Sequence, residues 1–414
     1  MPTRPLGTKI VKRLQEAGYI AYFAGGWVRD LLMQHPSDDI DIATNAPVET
    51  IQEIFPQTVP VGIAFGIVIV IEEGHPFEVA TFRKDRHYVD GRRPEGYDFA
   101  TPHEDALRRD FTINGMFYDP VIDQLYDYVD GQQDLKAGII RAIGDPHARF
   151  GEDRLRMMRA VRYATRFNFM IDPATRDAIL AHAEDLLPAV AIERVWQEFK
   201  KMALFARFDQ GLIELHRLGL LPRIFPRLRD LSNEEIEKRV APIRHYPKGA
   251  PAIAELLELF PDLSLDETLE LCEFLKLSRE ERLFVEELHA AFALFHLPTD
   301  WQAKLERVEW SRFYAKKHAT LCLEIFAARL APHEKETWLA AHRSRSESLS
   351  LHIERMRTRK PLVQADDLLQ AGIKPGPKLG KLLAEAERLS VNEDISDKKE
   401  ALRRLQDSTS FFEK

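Results

Sequence analysis

Gly25-Gly26-Trp27-Val28-Arg29-Asp30 is followed a few residues later by Asp38-Asp39-Ile40-Asp41-Ile42-Ala43-Thr44. The first segment reads as a glycine turn running into a helix. Glycine lets the backbone come close to a phosphate, and the start of a helix favours negative charge. The second reads as a strand, because polar and apolar residues alternate from Asp39 to Ala43. Residues two apart on a strand project from one face, so Asp39 and Asp41 aim at the same spot. Two adjacent carboxylates repel unless a divalent cation lies between them. Mg²⁺ suits such a site, since it takes one or two carboxylates plus the phosphates of a substrate. The pair points to metal-assisted transfer onto or from a nucleoside triphosphate. Arg29, one turn into the helix, is placed to fork onto a phosphate oxygen.

Outward from this stretch, the N-terminal part mixes strands and helices. Ala21-Tyr22-Phe23-Ala24 reads as the strand that feeds the glycine turn, and Pro47-Val48-Glu49-Thr50 opens a short helix closing near Pro56. The β-branched runs Val61 to Phe65 and Gly66 to Ile71, a turn at Gly74-His75-Pro76, and Phe77 to Phe82 predict a hairpin. Residues 84 to 103 read as a long polar loop, a length that usually marks function. Strands are expected at Phe111 to Tyr118 and at Ile139 to Ile143. Beyond Asp145-Pro146 the pattern turns helical and stays so. There Ile192, Val195, Trp196, Phe199 and Met202 recur on one face as a packing stripe.

Further chemistry sits at three places. Glu78 lies between the apolar Phe77 and Val79, so it projects opposite to them and offers a third carboxylate. Arg108-Arg109-Asp110 opens a strand; the arginines suit phosphate or sugar contact, and Asp110 suits orienting them instead of touching metal. Glu152-Asp153-Arg154-Leu155-Arg156 continues to Arg159 and Arg162. On a helix Asp153 and Arg156 are neighbours at i,i+3, while Arg156, Arg159 and Arg162 curl round it by about 60° a step. Leu155, Met158 and Val161 imply packing on the other flank, which lets the basic stripe line a cleft. An acceptor-only Asp beside a donor-only Arg matches the edge of cytosine or adenine, an amino donor beside a ring-nitrogen acceptor. It rejects guanine and uracil, which present the reverse.

These motifs, with Phe77-Glu78-Val79-Ala80-Thr81-Phe82-Arg83, Arg92-Arg93-Pro94 and Arg108-Arg109-Asp110-Phe111-Thr112-Ile113-Asn114, resemble those of the bacterial class II nucleotidyltransferases of the DNA polymerase β superfamily. That group comprises CCA-adding tRNA nucleotidyltransferases and their poly(A) polymerase relatives. The agreement in order and spacing covers roughly the first 200 residues. The resemblance implies an α+β fold: a polymerase β-like head with a mixed or antiparallel sheet (residues 1–145), then an all-α neck (146–205), body (206–290) and RNA-binding tail (291–414). It implies catalysis by Asp39, Asp41 and Glu78, with Asp39 and Asp41 holding Mg²⁺. Gly25, Gly26 and Arg29 fall where the family holds triphosphate, and Arg109 where it contacts nucleotide. Asp153 and Arg156 fall at the base-selecting positions, with Arg159 and Arg162 beside them. The stretch around Arg92-Arg93 resembles the element that switches C addition to A addition. Gly115 stands where alanine or serine is more usual.

The segment Val61 to Val68 resembles the CCA-adding version and lacks the basic stretch of poly(A) polymerases. CCA addition to tRNA from CTP and ATP is therefore the favoured activity, with poly(A) synthesis or a partial CC- or A-adding activity as alternatives. Remoter readings are a non-catalytic RNA-binding protein and nucleotide transfer to a small molecule or protein. Intact Asp39, Asp41 and Glu78 speak against the former. The 414 residues suffice for two or three cores, with 45% apolar and 30% charged residues and a net charge of −8. Any RNA-binding surface must then be a local patch; Arg92, Arg93, Lys374, Lys378 and Lys381 are candidates. No apolar run spans a membrane, the start Met1-Pro2-Thr3-Arg4-Pro5 lacks a secretory signal, and Cys272 and Cys322 are far apart. A cytoplasmic protein is expected.

Overall fold

The computed structural model describes residues 3–35, 37–61, 66–85, 97–302 and 304–408. Arg92-Arg93-Pro94 and residues 62–65 of the 61–68 stretch fall outside the described residues. The chain divides into two compact units, Met1–Ala241 and Pro242–Lys414, a boundary that lies inside the stretch read as the body.

The first unit is built on a seven-stranded sheet. Its strands are β1 (Ala21–Ala24), β2 (Asp41–Thr44), β3 (Thr58–Val59), β4 (Ile67–Glu72), β5 (His75–Thr81), β8 (Met116–Asp119) and β9 (Gln124–Asp127), in the order β3-β4-β5-β2-β1-β8-β9. β2 and β5 are parallel neighbours and the other pairs are antiparallel, so the sheet is mixed. β6 (Arg83–Asp85) and β7 (Tyr97–Phe99) form a separate two-stranded ribbon, so the ends of the stretch read as a loop are paired. The β4–β5 turn is Glu73-Gly74, both with positive φ; His75 and Pro76 already belong to β5. Phe111 to Tyr118 is not one strand. Thr112–Asn114 forms a 3₁₀ turn ahead of β8, which leaves Asn114 turned inward and buried.

Helix α1 (Thr3–Glu16) covers the sheet through Ile10, Val11 and Leu14, packing with Phe23, Ile42, Val68, Phe77 and Val79 into one core. α2 (Gly26–Leu32), α3 (Val48–Ile54), α4 (Pro102–Leu107) and α5 (Gly131–Ala137) complete the sheet-bearing part. Two Asp-Pro pairs then start helices: α6 (Pro146–Glu152) is capped by Asp145 and α8 (Pro173–His182) by Asp172. In each, the carboxylate accepts a first-turn N–H and proline occupies the first turn. Between them, α7 (Leu155–Phe167) buries Leu155, Met157, Met158, Ala160 and Val161. α9 (Leu186–Ala189) leads to α10 (Ile192–Ala203), whose Val195, Trp196, Phe199 and Met202 are buried as packing residues.

The second unit is helical throughout its described residues. Ser264 and Ser278 each close a capping box with the glutamate three residues on. Its cores gather Leu368, Leu382, Ala386 and Leu389, and the aromatic rings around buried His342. Among the described residues no helix is long and apolar enough to cross a membrane.

Candidate active site

Parallel pairing of β2 with β5 sets Asp41 beside Glu78. Ile40, Ile42, Phe77 and Val79 turn into the core. The alternation therefore sends Asp39, Asp41 and Glu78 to the other face, where all three line one cleft of about 880 Å³. The carboxyls reach solvent through the cleft yet sit among enough protein to feel one another. Burial, then Glu78 and Asp39, push the Asp41 carboxyl up to about 6 against the pull of Arg109. Burial and Asp39 likewise raise Glu78, against Arg83. Crowded carboxylates of this kind fit a cation. Among the described residues no group of three or more His, Cys, Asp or Glu side chains is placed to hold a metal ion by itself. An ion here would rest on Asp39 and Asp41 and complete its shell from substrate phosphates and water.

The glycine turn borders the same cleft. Gly25 has φ +65°, and a β-carbon there would sit 3.0 Å from Arg109 Nη1, so the bare backbone makes room for that guanidinium. Arg109 is itself held by Asp105, whose Oδ2 accepts from Nε at 3.1 Å and Nη2 at 2.9 Å. Asp105 Oδ1 accepts from Arg108 Nε at 2.8 Å. Burial penalises the Asp105 charge, but Arg109 and Arg108 outweigh it and hold the carboxyl below its ordinary range. Arg29 borders the same cleft. It is 3% exposed, donates to Asp30 Oδ1 through Nε and Nη2 and to Asn114 Oδ1 through Nη1, and lies under the Tyr163 and Phe167 rings. It forms the cleft floor, already engaged by protein partners.

The opposite wall is α7. Arg156, Arg159 and Arg162 line the cleft, as the curling stripe predicts, and Arg166, one turn beyond the stripe, joins them. Each has a carboxylate partner. Arg156 Nη1 donates to Glu152 at 2.6 Å and Nη2 to the Arg108 carbonyl at 3.2 Å. Arg159 Nε donates to Asp110 Oδ2 at 2.8 Å, Arg162 Nε to Glu198 at 2.6 Å, and Arg166 to Asp30 at 3.3 Å. Asp110 therefore does orient an arginine and touches no carboxylate cluster, but the arginine is Arg159 instead of Arg108 or Arg109. Against the cost of its burial, Arg159 and the Asn114 amide hold its carboxyl far below the usual range.

One expectation is corrected. Asp153 and Arg156 do not sit as an i,i+3 pair on one helix, because α6 ends at Glu152 and α7 begins at Leu155. Asp153 lies in the break, accepts the Leu155 N–H at 3.1 Å, and is gripped by Arg194 of α10. Both Asp153 and Arg156 still face the cleft. Sequence reasoning missed Arg194, 41 residues away with no local signal. It also passed over Asp105, which the i,i+3 and i,i+4 spacing to Arg108 and Arg109 would have found. Lys374, Lys378 and Lys381 lie exposed in the second unit, on the turn and first residues of the helix Pro377–Asn392.

A mixed sheet that presents neighbouring carboxylates beside a glycine turn, faced by a helix of arginines, defines the class: a nucleotidyltransferase. The comparisons with known proteins agree. The family model for the poly A polymerase head domain matches residues 21–141, and that for tRNA nucleotidyltransferase domain 2 matches residues 246–405. The CCA-adding enzyme of Pediococcus pentosaceus is 33% identical over 398 residues, covering 95% of each chain. That of Levilactobacillus brevis is 34% identical over 399 residues, again 95% of each. The crystal structure of the Bacillus stearothermophilus CCA-adding enzyme in complex with CTP matches at TM-score 0.78 and 29% identity, over 99% of both chains. The chain belongs to the bacterial CCA-adding enzyme and poly(A) polymerase family, whose transfer chemistry uses a divalent metal.

Proposed function

We propose that this protein adds C, C and A to the 3′ end of tRNA from CTP and ATP, with release of pyrophosphate and without a nucleic-acid template. The observation that carries the reading is one cleft holding both the crowded carboxylates Asp39, Asp41 and Glu78 and the base-edge pair Asp153 and Arg156. Asp39 and Asp41 would hold Mg²⁺, which when bound favours ionisation of the attacking 3′-hydroxyl and screens charge on the triphosphate. Arg109, fixed by Asp105 against the Gly25 backbone, supplies N–H donors to the triphosphate. Asp153 accepts from the exocyclic amino group of cytosine or adenine, and Arg156 donates to the adjoining ring nitrogen. Guanine and uracil would set a carbonyl oxygen against the Asp153 carboxylate and an N–H against the Arg156 guanidinium, an expensive mismatch. Arg29 supports the site from below by bridging Asp30 and Asn114.

The four-part organisation into head, neck, body and tail belongs to the same reading, with the exposed Lys374, Lys378 and Lys381 as RNA-backbone contacts. Buried free thiols at Cys272 and Cys322 suit a reducing cytoplasm. The decisive experiment offers a tRNA transcript lacking its terminal CCA, with each triphosphate singly and together, and sequences the products. Completion to C-C-A is the expected result; a long A tail or a single nucleotide would overturn it.

A further inference from the structure

Asp153 carries the acceptor half of the base reader yet stands outside any helix, in the break between α6 and α7. A carboxylate on irregular backbone is free to rotate unless something fixes it. Arg194, in the first turn of α10, closes a fork on it: Nη2 donates to Oδ2 at 2.8 Å and Nη1 to Oδ1 at 3.3 Å. The Leu155 N–H donates to Oδ1 at 3.1 Å. A carboxylate offers about four acceptor positions, and these bonds use two on Oδ1 and one on Oδ2. One remains, on Oδ2, in a side chain that lines the cleft.

We propose that Arg194 is a positioning residue for nucleotide choice, acting through Asp153. This rests on the reading of Asp153 as the base acceptor. The fork holds the carboxyl in one orientation, so that its last acceptor site meets only a donor. Cytosine and adenine present an amino donor there; guanine and uracil present carbonyl oxygen. Without the fork, the carboxyl can turn and its free acceptor site no longer points at the base edge. Arg156 needs no such help from α10. Glu152, the Arg149 carbonyl and the Arg108 carbonyl already fix it. The two halves of the reader are thus anchored separately, and Arg194 governs one of them.

The test measures kcat/KM for CTP, ATP, GTP and UTP on tRNA lacking its 3′ end, in the wild type and in Arg194→Ala and Arg194→Lys. The readout is the ratio of correct to incorrect nucleotides, which a merely structural role would leave alone. The expected result is a ratio lowered about tenfold in the alanine variant and less in the lysine variant, which keeps the charge but loses the fork. Lysine also supplies the measurement should the alanine variant unfold at assay temperature. A ratio at the wild-type value in both variants overturns the assignment, whatever happens to the absolute rates. A wild-type protein that does not extend trimmed tRNA would remove the CCA reading itself, a separate outcome.

Discussion

The two walls of the cleft follow opposite electrostatic rules. On the sheet, Asp39, Asp41 and Glu78 crowd together, and the Asp41 carboxyl is pushed up to about 6. On the helical side, Arg156, Arg159, Arg162 and Arg166 each have a carboxylate partner. Repulsion left standing in a folded protein marks where a ligand of opposite charge belongs. Guanidiniums already neutralised add little long-range attraction, but they hold N–H donors at fixed places. The first wall is built to gather charge and the second to read shape. This contrast also accounts for a nucleotide-binding cleft in a chain of net charge −8. Its arginines come with their own counter-charges, so no basic surface of the whole molecule is needed.

The harshest way to break the comparison is to remove a carboxylate from the sheet. Asp41→Ala should lower nucleotide incorporation at least about a thousandfold, the loss of several kcal/mol of charge stabilisation. Its unfolding midpoint should stay level or rise, because the fold sheds one of three mutually repelling groups. A midpoint several degrees lower would show Asp41 to be a structural partner and the wall to be misread.

The matching cut on the other wall should do the reverse. Asp110→Ala leaves Arg159 without its carboxylate partner and the Asn114 amide without that acceptor. A loss of about 3 kcal/mol is expected, measurable by urea unfolding. The sign of its pH dependence follows from a folded-state carboxyl held below its ordinary range. The contribution is complete above the unfolded value of about 4 and is lost as pH falls toward the folded one. Wild type should therefore lose stability more steeply than the variant on going from pH 5 to pH 3. Parallel acid limbs would mean that Asp110 is not held this way.

The legibility of the two walls in the sequence differs for the same physical reason. The carboxylate wall was readable because strand alternation is local: Ile40 and Ile42 in the core place Asp39 and Asp41 outside it. Glu78 followed from Phe77 and Val79. The arginine stripe was readable from helical spacing, but its partners were not. Glu198 pairs with Arg162 across 36 residues and Arg194 with Asp153 across 41, and no periodicity connects them. The helix break at Asp153 escaped for another reason. Glu152 to Arg162 has the composition of one continuous helix, and only tertiary pairing with α10 shows the interruption. The place of Arg29 after a glycine turn points to the cleft it borders, but its pairing with Asn114 across 85 residues has no local signal.

A finer test sharpens what each wall contributes. Arg156→Ala should loosen base choice about tenfold while transfer of the correct nucleotide is less affected, since the carboxylates are untouched. Primer-extension products with all four triphosphates would show it. Unchanged fidelity would shift base reading away from this wall.

The smallest expected effect probes the seam between the walls. Asn114 accepts from Arg29 on the cleft floor and donates to Asp110, the partner of Arg159. The residue after it, Gly115, has no room for a side chain: a β-carbon would lie 2.6 Å from Val129 Cγ2 and 3.0 Å from Ile143 Cδ1. Gly115→Ala should cost about 1 to 3 kcal/mol of stability through overpacking. Nucleotide choice should stay as it is, because the clash pushes into the core and not toward the cleft. Trimming the obstructing side chain gives the discriminating control. Gly115→Ala combined with Val129→Ala should cost less than the sum of the two single variants, since the second removes the atom that the first strikes. Additive losses would place the strain in the backbone between Asn114 and Met116. In that case the same substitution should also disturb Arg29 and Asp110, and with them both walls at once.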